Sequence, residues 1–155
     1  GLRPGELIGL DWADIRGYMV NVCRSVNVRG EQTQGKNENA VRSFQLSALA
    51  RRVLDDQQAA TGGRGSVFRI TNEQHYYKRW KIYCATNDLT PCSPYELRHT
   101  FVSVVKTLPA GEVKALVGHS ADMDTFGVYS HTLTGDAAHT AQAVNGVFLQ
   151  VLKNA

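Results

Sequence analysis

Ser93-Pro94-Tyr95-Glu96 constrains the fold more than any other stretch of the chain. Serine caps the orphan amides of a helix start, and proline is tolerated at the first helical position. Glutamate at the third position can return a hydrogen bond to the cap. Leu97, Phe101, Val104 and Leu108 follow at i, i+4, i+7 and i+11, so the spacing predicts a helix with a buried stripe, ended by Pro109. Such a helix must lay that face on other elements.

Those elements read as mixed. Pro4-Gly5-Glu6 leads into Leu7, Ile8 and Leu10, a helix start that Arg16-Gly17 interrupts. Tyr18 to Cys23 alternates like a strand, residues 29–39 are polar like a loop or hairpin tip, and Val41 to Leu46 reads as the returning strand. From Ser47, an N-cap, the period turns helical with Leu49, Val53 and Leu54 as core candidates. Val67 to Ile70 reads as a short strand or an extended run. Thr71 to Gln74 reads as a capping box whose helix carries Tyr77, Trp80 and Cys84 on one face, and Tyr76, Tyr77 and Tyr83 read as structural. A short helix through Val113 and Leu116 stops at Gly118, another runs towards Tyr129, and Thr134-Gly135 breaks the chain. Ala137, Ala141, Val144, Phe148 and Val151 then mark a final amphipathic helix. The predicted class is α+β, mostly helical, with a small antiparallel sheet or hairpin on the N-terminal side.

Length and composition narrow the function classes. The 155 residues suffice for one domain, and 43% hydrophobic residues is ordinary for a globular protein. No apolar run approaches the roughly 20 residues of a membrane span, so no membrane partner is expected. The first residues read as the middle of a chain, and an excised fragment is the expectation for residues 1–155. Three cysteines without CxxC spacing argue against a disulfide framework and a zinc site, and favour a reducing, cytoplasmic setting. The net charge of +3 suits a polyanionic partner without requiring one.

Three segments carry chemistry: Gly1-Leu2-Arg3-Pro4-Gly5-Glu6, then Ser93 to Thr100 with Leu97-Arg98-His99-Thr100, then Leu116-Val117-Gly118-His119-Ser120 followed by Tyr129-Ser130-His131. In this order and spacing they resemble the tyrosine recombinase (phage integrase) family, from Gly1 to about His131. The resemblance implies the catalytic-core fold of that family, lacking the DNA-binding domains that usually precede it. It also implies double-stranded DNA as partner, a homotetramer on DNA in the full-length protein, and no metal or other cofactor.

The residue types fit that chemistry. Attack on a phosphodiester builds negative charge on two non-bridging oxygens, and guanidiniums clamp such oxygens with paired hydrogen bonds. Arg3 and Arg98 match the two clamping arginines of the family. His119 matches a third contact, an N–H donor to the same oxygens. Tyr129 matches the nucleophile, ten residues after His119. The leaving 5′-oxygen needs a proton, and Lys36, aligned ahead of Val41 to Leu46, falls on the family lysine that supplies it. Glu6 stands where an acidic residue orients a neighbouring catalytic side chain, and it suits a helix N-terminus as well. His131 is expected to orient the Tyr129 segment, and His99 to pack or bond within its helix.

One position departs from the pattern. Tyr95 stands where the family has a histidine, three residues before Arg98 and so expected on the same helix face, pointing at the site. A phenol can donate to phosphate but cannot accept a proton near neutral pH as an imidazole does. Tyr95 is therefore expected to contact phosphate or DNA. Two alternatives stay open: a catalytically impaired DNA-binding relative of the same fold, and a type IB topoisomerase-like enzyme. The final helix fits packing on its own subunit or on a neighbour equally well.

Overall fold

The computed structural model describes residues 1–33, 41–118 and 134–154. Within them the chain is mostly helical, with α1 (Pro4–Ile8), α2 (Ala48–Thr61), α3 (Glu73–Thr86), α4 (Pro94–Val104), α5 (Ala110–Val117) and α6 (Thr134–Lys153). Two small antiparallel sheets lie on the N-terminal side. β1 (Ile15–Arg16), β2 (Met19–Val22) and β5 (Arg42–Gln45) form one, in the order β1-β2-β5, and β3 (Ser25–Val26) pairs with β4 (Gln32–Thr33) in the other.

The three-stranded sheet is one-sided. Val20 and Val22 of β2 are buried while Met19 and Asn21 face out. β5 pairs with β2 so that Val20 opposes Phe44 and Val22 opposes Arg42. Arg42 and Phe44 therefore share the inward face. Leu10, Trp12, Leu46, Leu54 and Val67 complete this core, with Leu2, Ile15, Ala50 and Phe68 packed against it. α6 closes over the other side: Ala141 and Val144 are buried, Phe148 stacks on Phe101 of α4 at 5.8 Å, and Asn145 Oδ1 accepts from the Leu49 amide.

Several boundaries and faces differ from expectation. α1 is a single turn ended at Gly9, and Leu10 belongs to the core beyond it rather than to the helix. Within the expected loop 29–39, Gln32 and Thr33 pair as β4. α3 is capped by Asn72, whose Oδ1 accepts from the His75 amide, so the cap lies one residue after Thr71. Val53 is exposed, since Ala50 and Leu54 already cover the core side of α2. Tyr77 and Tyr83 of α3 are exposed too, and the buried residue of that helix is Cys84. Thr134-Gly135 is not a break but the start of α6. The helix expected up to Tyr129 lies outside the described residues.

The largest correction concerns α4. Its cap and capping box are as expected, with the Glu96 amide donating to Ser93 Oγ and Glu96 Oε2 accepting from the Ser93 amide. The buried positions, however, are Pro94, Arg98 and Val105, with Phe101 half-buried between them as expected, while Leu97 is exposed and Val104 and Leu108 are only half-buried. The helix turns an arginine inward. It also stops at Val104, well before Pro109: Val102, Val104 and Val105 are β-branched, which is unfavourable in a helix, and Val105 caps the end fully buried. Pro109 instead precedes α5 as its N-cap.

Candidate active site

The site is built on the ends of two short helices. Arg3 is the N-cap of α1, and Glu6, at the third position, accepts from the Arg3 amide at 2.9 Å. The same carboxylate accepts from Arg3 Nη1 at 2.8 Å. Gly5, between them, is required by close packing: a β-carbon there would lie 2.4 Å from Ser25 Oγ and 2.7 Å from the Val26 carbonyl. α1 can thus lie directly on β3.

Glu6 is only 4% exposed. A buried carboxylate needs a charged, hydrogen-bonded partner. Arg42 provides it as a fork, with Nη1 donating to Oε1 at 3.1 Å and Nη2 to Oε2 at 2.8 Å. Burial alone would raise the Glu6 pKa, but the hydrogen bonds from Arg42 and Arg3 outweigh it and hold the carboxyl below its usual range.

Three guanidiniums then meet one helix end. Arg42 Nε donates to the Leu116 carbonyl at 2.9 Å, Arg98 Nη2 to Val117 at 2.7 Å, and Arg3 Nη2 to Gly118 at 3.1 Å. These carbonyls close α5, where a helix leaves acceptors unsatisfied and where cations are favoured. Gly118 makes the arrangement possible, since it adopts the left-handed conformation (φ 66°, ψ 49°) that ends the helix. Arg98 Nη1 also donates to the Gly1 carbonyl at 2.7 Å, tying α4 to the start of the chain.

Among the described residues, three guanidiniums and one carboxylate meet here. Arg98 is 4% exposed, and burial together with the nearby Arg3 charge lowers its pKa, partly offset by Glu6. An arginine remains protonated under such a shift, so the positive charge persists and an anion would relieve the repulsion. Arg3 keeps 35% of its side chain exposed, which gives an anion an approach.

Of the expected site residues, Arg3, Glu6 and Arg98 therefore come together on α5. Tyr95 stands at the exposed start of α4, edge-on to His99 with ring centroids 5.0 Å apart. Tyr95 is exposed while Arg98, three residues on, is buried, so the two do not present the same face of α4. His99 is exposed rather than packed inside its helix. Lys36, His119, Tyr129 and His131 lie outside the described residues; His119 follows Gly118 directly in the chain.

Arg42 is the member that reading the sequence for motifs misses. The signal was present: in Val41 to Leu46 the alternating residues Arg42, Phe44 and Leu46 share a face, and an arginine on the inward face of a strand must have a buried partner. Among the described residues no cluster of His, Cys, Asp or Glu could hold a metal ion, and no helix is long and apolar enough to cross a membrane.

A family model described as the phage integrase family matches residues 1–135. The chain is also similar to the ICEBs1 integrase of Bacillus subtilis (strain 168), 23% identical over an alignment 155 positions long that covers 84% of this chain and 42% of that protein. The chain thus spans less than half the length of that relative.

Proposed function

The chain belongs to the phage integrase family, and from that premise we propose that residues 1–155 form the catalytic domain of a site-specific DNA recombinase, with the catalytic-core fold of tyrosine recombinases. It cleaves and rejoins DNA by transesterification through a 3′-phosphotyrosyl link at Tyr129.

The observation that carries this function is the convergence of Arg3 and Arg98 on the end of α5, next to His119 in the chain. In the proposed reaction Arg3 and Arg98 hold the non-bridging oxygens of the scissile phosphate, with His119 as a further donor. Clamps of this kind act by stabilising charge as it develops. The Tyr129 oxygen gives up its proton to solvent and forms a bond to phosphorus while the bond to the 5′-oxygen breaks, and Lys36 gives that oxygen its proton. The phosphodiester's energy is kept in the tyrosyl ester, so rejoining is the reverse attack by a 5′-hydroxyl. His131 orients the Tyr129 segment. Double-stranded DNA is the substrate and partner, and a tetramer on DNA is the proposed assembly.

A second reading, a DNA-binding relative with impaired catalysis, is favoured by Tyr95, which leaves no imidazole at that position to receive the Tyr129 proton. A nicked duplex whose cleaved end diffuses away separates the two. With the junction sequence of the encoding element as duplex, the full-length protein is expected to accumulate a covalent adduct that Tyr129→Phe abolishes. Sequence-specific binding without any adduct would establish the second reading.

A further inference from the structure

We propose that Arg42 is a positioning residue for the strand-cleavage reaction: through Glu6 it fixes the Arg3 guanidinium, and through the Leu116 carbonyl it fixes the helix end that leads into His119. This rests on the recombinase reading above and adds to it a residue that acts on the clamp without touching the phosphate.

The geometry points to Arg42 from both sides. Glu6 bonds Arg3 at the amide and at Nη1, so the rotamer of Arg3 depends on where that carboxylate sits. Glu6 in turn is held by both terminal nitrogens of Arg42. A two-point fork fixes the carboxylate plane as well as its position, and lysine, a point charge, cannot do this. The third nitrogen, Nε, reaches α5, so one side chain sets the spacing between the start of α1 and the end of α5. Arg42 also opens β5, the strand that follows the segment carrying Lys36. One guanidinium thereby ties together the start of α1, β5 and the end of α5. Misplacing a clamp by about 1 Å can cost on the order of 100-fold in rate.

The test uses full-length protein on nicked duplexes carrying the junction sequence of its element, with either a normal scissile phosphate or a methylphosphonate, in which one non-bridging oxygen is replaced by methyl. Arg42→Lys is expected to form the Tyr129 adduct about 10- to 100-fold more slowly, with DNA affinity within about threefold of wild type. On the methylphosphonate isomer that lacks the oxygen held by Arg3, the loss should shrink to a few-fold, because there is no longer a clamp contact to misplace. Glu6→Gln should show the same pattern, and Arg42→Lys should add little to it. Glu6→Gln also stands in if Arg42→Lys does not fold. Wild-type rates in Arg42→Lys, or an equal loss on both phosphates tracking a lower melting temperature, would overturn the positioning role while leaving the recombinase reading intact. Absence of an adduct in the wild type would instead overturn both.

Discussion

Glu6 ties together more of this site than any residue expected to touch DNA. It is buried, meets two arginines, and its pKa lies below the ordinary carboxylate range. In the window between that lowered value and about 4.3, the usual glutamate value, the unfolded chain binds a proton that the folded protein does not. The stability Glu6 contributes is therefore complete above about pH 4.3 and is lost as pH falls through its lower folded value. Glu6→Gln should cost about 3 kcal/mol at neutral pH, because it removes one member of a buried, hydrogen-bonded ion pair. Denaturant unfolding from pH 7 to pH 3 should then show a shallower acid loss in the variant than in wild type. Parallel pH profiles would mean that Glu6 is not held as an ion in the fold. Arg3 and Arg98 could be found from their neighbours in the sequence, because Gly1-Leu2-Arg3 and Leu97-Arg98-His99 have recognisable surroundings. Arg42 could not be found that way: the alternation with Phe44 and Leu46 marks it as inward, but its partners, Glu6 and Leu116, are far from it in sequence.

Helix ends were legible where a single residue supplies the cap, since that signal is local, and less so elsewhere: α4 stops before Pro109 and α6 begins at the expected break. Ser47 and Ser93 cap α2 and α4, and Gly118 ends α5, as their residue types predict. The face that α4 buries was not legible, because hydrophobic spacing counts an arginine as an outward residue and Arg98 is an inward one. The exposed end of α6, where Leu149, Val151 and Leu152 are all uncovered, likewise departs from its continuous apolar stripe. Gly118 offers the sharpest check on these elements. A left-handed backbone costs a residue with a β-carbon about 1–2 kcal/mol, less for asparagine. Gly118→Ala should lower the melting temperature by about 3–6 °C, and Gly118→Asn by less. Equal melting of all three proteins would show that α5 does not end in this conformation.

Taken as a whole, the fold brings Arg3, Arg42 and Arg98 from three distant stretches of the chain to one helix end. The cluster is too small to hold a duplex by itself, and the exposed Lys78, Arg79 and Lys81 of α3 offer additional positive charge. Each phosphate neutralised adds about 0.9 to the slope of log affinity against log salt on duplex DNA. Replacing these three residues by glutamine should lower that slope by about two to three, measured by titration at several salt concentrations; an unchanged slope would remove α3 from the DNA interface. The chemistry itself is decided by where the DNA becomes attached. After reaction of the full-length protein with a nicked junction duplex, followed by nuclease and protease digestion, mass spectrometry should find a nucleotide phosphate on the peptide containing Tyr129. A nucleotide on any other residue, or no modified peptide beside retained DNA binding, would contradict the assignment of Tyr129 as nucleophile.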